Sequence, residues 1–144
     1  MISWKKLKDR YPHIGILILA YVAFIALGMP DGLFGVAWPS IRISFSVPLD
    51  SAGLLIFAGA SGYLTLSFSS GPLISRFGVG FVLAASCALT GFGLIGYTIA
   101  PFWWMMILLA VFAGLGAGAI DAGLNNYVAA HFKEGLMQWL HASY

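Results

Sequence analysis

A long run without charge is the feature that most constrains this chain. No Asp, Glu, Lys or Arg occurs from Phe77 to Ile120, a run of 44 residues. As one helix it would be ~66 Å long, about twice the ~30 Å hydrocarbon core of a bilayer. The run must therefore turn back, and Pro101 marks the corner because proline cannot donate the next helical hydrogen bond. Only 8% of residues are charged, against about 25% in soluble domains, so lipid is the expected solvent.

The charge-free runs predict an all-α integral membrane protein with four transmembrane helices and the start of a fifth. A cytoplasmic tail, residues 1–12, precedes them. The helices are predicted at about 13–40, 51–73, 79–100 and 102–131, with a partial helix at 135–144. The first run is too long for the apolar core of a signal peptide. The last run reaches only ~15 Å, half a bilayer, so we expect the N-terminal part of a longer protein.

Basic residues predict the orientation. If the spans alternate, six of the seven basic residues fall on one side of the membrane, and only Arg42 falls on the other. The six are Lys5, Lys6, Lys8, Arg10, Arg76 and Lys133. Cytoplasmic loops carry an excess of Lys and Arg, so the N-terminus is expected in the cytoplasm. The chain is then a multi-pass protein of the plasma or inner membrane.

Two carboxylates lie inside predicted spans, Asp31 and Asp121. An Asp at the centre of a membrane helix costs about 2.5–3.5 kcal/mol on insertion scales. Such residues face a bundle interior or a wet cavity and mark proton paths or substrate sites. The alternative is a structural polar contact. Helical rise places the two acids on opposite sides of the midplane, so we predict no direct carboxylate pair.

Further polar and aromatic residues are candidate solute contacts. Asn125 lies four residues after Asp121 and shares its helix face. Asn126 is turned by roughly 100° from it. Asparagine in a span bonds either a neighbouring helix or a ligand. Trp38 and Tyr127 could stack on a sugar ring, or they could be packing aromatics.

Other motifs favour packing over chemistry. Gly114 and Gly118 form a GxxxG step, which lets another helix backbone approach closely. The GxGxxG spelling from Gly91 to Gly96 lacks the strand and turn of a nucleotide site. Cys87 and the histidines have no metal-ligand spacing. No catalytic triad, phosphate-binding loop or basic nucleic-acid patch is present, so neither enzyme activity, a cofactor, a metal nor nucleic-acid binding is expected.

Three segments share the pattern of one family of membrane proteins. The first is Asp31 followed by Trp38-Pro39-Ser40-Ile41. The second, at 71–78, has Gly71, Arg76 and Gly78 in the spacing of a Gly-x-x-x-Asp-Arg-x-Gly motif, with Ser75 at the position of the Asp. The third is the glycine-rich segment 116–126 around Asp121, which is followed by 138–144. These segments resemble the major facilitator superfamily, whose cytoplasmic loop the second one matches, and more narrowly its fucose–proton symporter and fucose-permease-like branch, in which 138–144 resembles the opening of helix five.

The resemblance implies a major-facilitator-type helical bundle, of which this chain is one three-helix repeat, a further helix and the start of another. It implies that Asp31 and Asp121 couple transport to protons. The solute would be a sugar or a similar small polar molecule, with Gln138 and His141 as further candidate contacts. The partners would be that solute, protons, lipid and the remaining helices of the transporter.

Two hypotheses stand from different classes. The first is a proton-coupled solute symporter in which Asp121 is the protonation switch. Protonation would remove the cost of burying a charge and bias alternating access. The second is a complete four-helix membrane protein that assembles as an oligomeric exporter or structural subunit.

Overall fold

Four helices make up nearly all of the computed structural model, which describes residues 14–131. They are α1 (Ile14–Phe45), α2 (Ser51–Phe77), α3 (Val79–Ile99) and α4 (Trp103–His131). Within this range there is no strand, so the predicted all-α class is confirmed. Among the described residues, three segments are long and apolar enough to cross a membrane, namely α2, α3 and Trp103–Ala130 of α4. The predicted fifth helix lies outside the described residues.

The first two helices are longer than predicted. Helix α1 continues to Phe45, where the prediction ended it at 40, and Pro39 lies inside it. Helix α2 continues to Phe77, where the prediction ended it at 73, and Pro72 lies inside it. A proline removes one helical hydrogen bond, but the neighbouring turns continue the helix in both cases.

The predicted cytoplasmic loop at 71–78 is therefore wrong as a loop, because it is almost entirely helical. Gly71 and Arg76 belong to α2, and Gly78 alone separates α2 from α3. Gly78 has φ 81° and ψ 151°, a conformation that is essentially restricted to glycine. Its N–H donates to the carbonyl of Ile74 at 2.9 Å, which caps α2. The glycine makes the sharp turn that the sequence motif led us to place in a longer loop.

Helix α4 is the centre of the bundle, since most contacts between helices are those of α2 and α3 with α4. Two of its glycines, Gly114 and Gly118, contact the backbone of α2. A Cβ atom added at Gly114 would overlap the carbonyl group of Gly59, and one added at Gly118 would overlap that of Tyr63. Both partner positions advance by four residues, so α2 and α4 run in the same direction.

Helix α3 packs on another side of α4 and runs the opposite way. A Cβ atom at Gly93 would meet Ala113 at 2.8 Å, and one at Gly96 would meet the Leu109 side chain. The position on α4 decreases as the position on α3 increases, which is antiparallel packing. Alternating directions are what successive membrane crossings require. Gly93 and Gly96 of the GxGxxG spelling thus serve helix packing.

Aromatic rings join the end of α1 to the beginning of α4. The ring centroids of Trp38 and Trp103 are 6.0 Å apart, and those of Phe45 and Trp103 are 5.9 Å apart. Partly buried Phe34 and Ile41 of α1 pack on a buried cluster from α2 and α4. That cluster consists of Leu55, Ala58, Met106 and Ala110.

Substituting the contact glycine should separate α2 from α4. We expect Gly118→Ala to lower the free energy of unfolding by about 1–3 kcal/mol or more, the usual cost of overpacking. The reason is that the added methyl group would overlap the backbone of α2. Gly91→Ala is the control, since nothing lies within 4 Å of a Cβ atom there. It should be neutral or stabilising, as alanine is the better helix former. Denaturant titration in detergent micelles measures both, and equal stability of the two variants would contradict the packing described.

Candidate functional site

The carboxylate of Asp121 lies half-buried between α4 and α2, with hydrogen bonds to both of its oxygens. The Tyr63 hydroxyl of α2 donates to Oδ2. The Asn125 amide, one turn further along α4, donates from Nδ2 to Oδ1 at 3.0 Å. Hydrogen bonds to a charged acceptor are roughly twice as strong as neutral ones. The two donors therefore stabilise an ionised carboxylate where lipid and protein would otherwise disfavour it.

Asn125 satisfies only one end of its side chain. Its Oδ1 is buried and has no hydrogen-bond partner among the described residues. A buried acceptor without a partner costs about 1–3 kcal/mol, so this atom has an interaction still to gain. Asn125 thus donates to the carboxylate at one end and keeps an unused acceptor at the other. We call Tyr63, Asp121 and Asn125 the polar cluster.

Tyr63 was missing from the candidates that the sequence supplied. It lies 58 residues before Asp121, and its only sequence signal is a polar aromatic among small residues in an otherwise apolar span. The contact follows from the glycines: the Tyr63 carbonyl faces Gly118, so its ring reaches the next turn of α4. Only the pairing of α2 with α4 reveals this partner.

Two other predicted contact residues lie apart from the polar cluster. Asn126 is exposed and takes no part in the hydrogen bonds of Asp121. Trp38 is only 7% exposed, and its ring packs between Phe34 and Trp103. The Trp38 Nε1 donor is buried without a partner in the part of the chain described, so one polar atom remains in this packed aromatic group. Tyr127, the other candidate for stacking on a sugar ring, is half-buried on α4.

Asp31 lies in α1, well away from Asp121 by helical register. It precedes Trp38 by seven residues, whereas Asp121 follows Trp103 by 18. Because the two tryptophan rings are in contact and α1 runs against α4, the backbones of the two acids differ by ~16 Å in height. This register agrees with the expectation that the acids form no direct pair, which stays a prediction. Gln138 and His141 lie outside the described residues.

Arg76, the basic residue of the motif at 71–78, does not belong to the polar cluster either. Arg76 is exposed, and its guanidinium lies 5.5 Å from the centroid of the Phe77 ring. Near it, an open groove of about 160 Å³ runs between α2 and α3. The groove is lined by apolar side chains and Ser86, which does not suit a polar solute. The polar cluster on α4 is therefore the best candidate site in the described chain.

Comparison with known proteins covers almost the whole chain. The family model of the Major Facilitator Superfamily matches residues 4–138. A relative is "Tetracycline resistance protein, class G" from Vibrio anguillarum, 27% identical over 136 residues. The match covers 92% of this chain and 34% of that protein, so the chain spans about a third of its relative's length. No solved structure matches the chain.

Substituting Trp38 tests whether its ring serves helix packing or stacks on the solute. We expect Trp38→Ala to lower the free energy of unfolding by about 3–5 kcal/mol, as for other buried large aromatics. Trp104→Ala is the control, because Trp104 is 62% exposed and should lose far less. Denaturant titration in micelles measures the difference. Unchanged stability of Trp38→Ala together with weaker solute binding would show instead that the ring serves the solute.

Proposed function

Since this chain belongs to the major facilitator superfamily, we propose that it forms the N-terminal part of a proton-coupled secondary transporter. The observation that supports this most is Asp121, an acidic residue in a membrane-spanning helix with both oxygens hydrogen-bonded. An acid at this depth is costly and in transporters commonly serves proton relay. In this proposal Asp121 takes up and releases the coupled proton.

Protonation changes the cost of keeping Asp121 within the bundle. The ionised form carries a charge that only Tyr63 and Asn125 offset among the described residues. The protonated form is neutral, so the cost of moving it between environments falls. A ligand shifts a conformational equilibrium by its difference in affinity for the two states. A proton that prefers one orientation of the transporter thereby drives alternating access.

Asp31 is the second acid of the proposal. Its place in α1, about 16 Å in height from Asp121 by register, gives it a separate position along the membrane normal. We infer that the two acids protonate at different stages of transport. The N-terminus, with its cluster of basic residues, would lie in the cytoplasm, and the remaining helices of the transporter would complete the walls of the cavity.

The proposed solute is a sugar or a similar small polar molecule, as in the fucose–proton symporter branch. The polar cluster supports this class, because Asn125 can bond hydroxyl groups and the neighbouring helices supply apolar walls. A second candidate solute is tetracycline, favoured by the name of the Vibrio anguillarum relative. The family match also favours a transporter over a structural subunit.

Replacing Asp121 in the complete transporter tests the coupling role. We expect Asp121→Asn to abolish solute-driven proton uptake in proteoliposomes while solute counterflow continues, because the amide cannot carry the proton but retains similar shape. L-Fucose, D-galactose and tetracycline are the probes. Asp50→Asn is the control, since Asp50 is exposed just before α2, and it should transport as the unsubstituted protein does. Proton uptake that survives in Asp121→Asn would contradict the proposal.

A further inference from the structure

The side chain of Asn125 carries a donor and an acceptor at opposite ends, and only one end is used. Its Nδ2 donates to Oδ1 of Asp121, while its own Oδ1 is buried without a partner among the described residues. An ionised carboxylate accepts hydrogen bonds and donates none. The charge on Asp121 therefore determines which end of the amide faces it: the nitrogen faces the carboxylate, and the oxygen points away.

Protonation reverses this requirement. When a proton binds Oδ1 of Asp121, that oxygen becomes a hydroxyl donor, and it now faces the amide nitrogen, which is also a donor. A half-turn of the amide about its last side-chain bond breaks the old hydrogen bond and forms a new one from the Asp121 hydroxyl to Oδ1 of Asn125. Tyr63 continues to donate to Oδ2 of Asp121. The proton comes from a hydronium ion, which becomes a water molecule, and the new O–H bond on Asp121 is the only covalent bond formed in the protein.

We propose that Asn125 reports the protonation state of Asp121 to the solute by this rotation, and so determines which chemical group the site binds. The inference rests on the proposed function, because it takes Asp121 as the coupling acid. With Asp121 ionised, Asn125 presents an acceptor. With Asp121 protonated, Asn125 presents its N–H₂ group. In a symporter the protonated state binds the solute, so the matching solute offers an oxygen acceptor to this group, such as a hydroxyl, ring or carbonyl oxygen.

No other charged side chain in the described chain competes for this control. From α2, the titratable group that faces Asp121 is Tyr63, which donates to it. From α3, the residues nearest this part of α4 carry no charge. They are Leu83, Ser86 and Thr90. From α1, Asp31 is separated by register, about 16 Å in height. Asp121 is therefore the group whose charge sets the orientation of Asn125.

The burial of the Asn125 oxygen also indicates at which stage of the transport cycle the solute can contact this side chain. The oxygen is covered in this conformation, so a solute reaches the amide only when the cavity opens around α4. Alternating access supplies such an opening at the interface between repeats. A buried amide end without a partner favours the opened, solute-bound state, in which that end gains a hydrogen bond.

Selective isotope labelling can follow the rotation directly. Asn125 and Asn126 are the only asparagines of this chain, and Asn126 is exposed. The complete transporter is labelled with ¹⁵N in asparagine side chains and ¹³C in aspartate carboxyls, placed in lipid nanodiscs and titrated with acid by NMR, and the Asn125 signals are identified by their loss in Asn125→Ala. We expect the Asn125 amide signals to move together with the Asp121 carboxyl signal, while the Asn126 signals stay in place. Asp121→Ala should abolish the movement, and Asn126→Ala assigns the signals.

The outcomes separate the inference from the function on which it rests. If the Asp121 carboxyl titrates while the Asn125 amide signals stay fixed, the proposed rotation is wrong, but the proposal that Asp121 is the coupling acid is retained. If the Asp121 carboxyl does not titrate at any accessible pH, both are wrong. Should Asp121→Ala fail to fold, the unsubstituted protein still decides, because its carboxyl and amide signals are measured in one sample.

Discussion

Close contact between the backbones of α2 and α4 is the constraint on which the rest of this structure depends. In lipid, apolar side chains gain little by leaving their solvent, so helices associate through tight packing of small residues and through polar contacts. Gly59 and Gly62 of α2 meet the stretch of α4 that contains Gly114 and Gly118. Their missing side chains bring the helices close enough for the Tyr63 hydroxyl to reach Asp121. A larger residue at this interface would move the candidate site as well as the helix.

The same contact explains how an acid is tolerated in a helix that is otherwise apolar. Asp121 receives one hydrogen bond from α2 and one from its own helix, so its stability depends on the two helices remaining together. Loss of either donor, or gain of a proton, changes the balance between a charge held in the bundle and a neutral group. This sensitivity is the physical property that a coupling site needs, because a small chemical change then alters which packing of helices is favoured.

The helices and their approximate ends follow from the distribution of charge, whereas the polar cluster does not. The charge-free runs and Pro101 place α3 and α4 to within about a residue or two. The predicted ends of α1 and α2 are too early, because both helices continue past the basic residues Arg42 and Arg76 that bound the charge-free runs. The pairing of Asp121 with Asn125 is local and follows from helical spacing. Its pairing with Tyr63 spans 58 residues and requires knowledge of which helices touch, which one sequence does not contain.

A double-mutant cycle between Tyr63 and Asp121 tests most directly that α2 and α4 hold the carboxylate together. The free energies of unfolding of Tyr63→Phe, Asp121→Asn and the double variant are measured in micelles near neutral pH and compared with the unsubstituted protein. Residues that share a hydrogen bond show an interaction energy of about 0.5–3 kcal/mol, and the structure predicts a favourable value in this range. Strictly additive effects of the two substitutions would contradict the site, because they would show that the hydroxyl and the carboxylate do not interact.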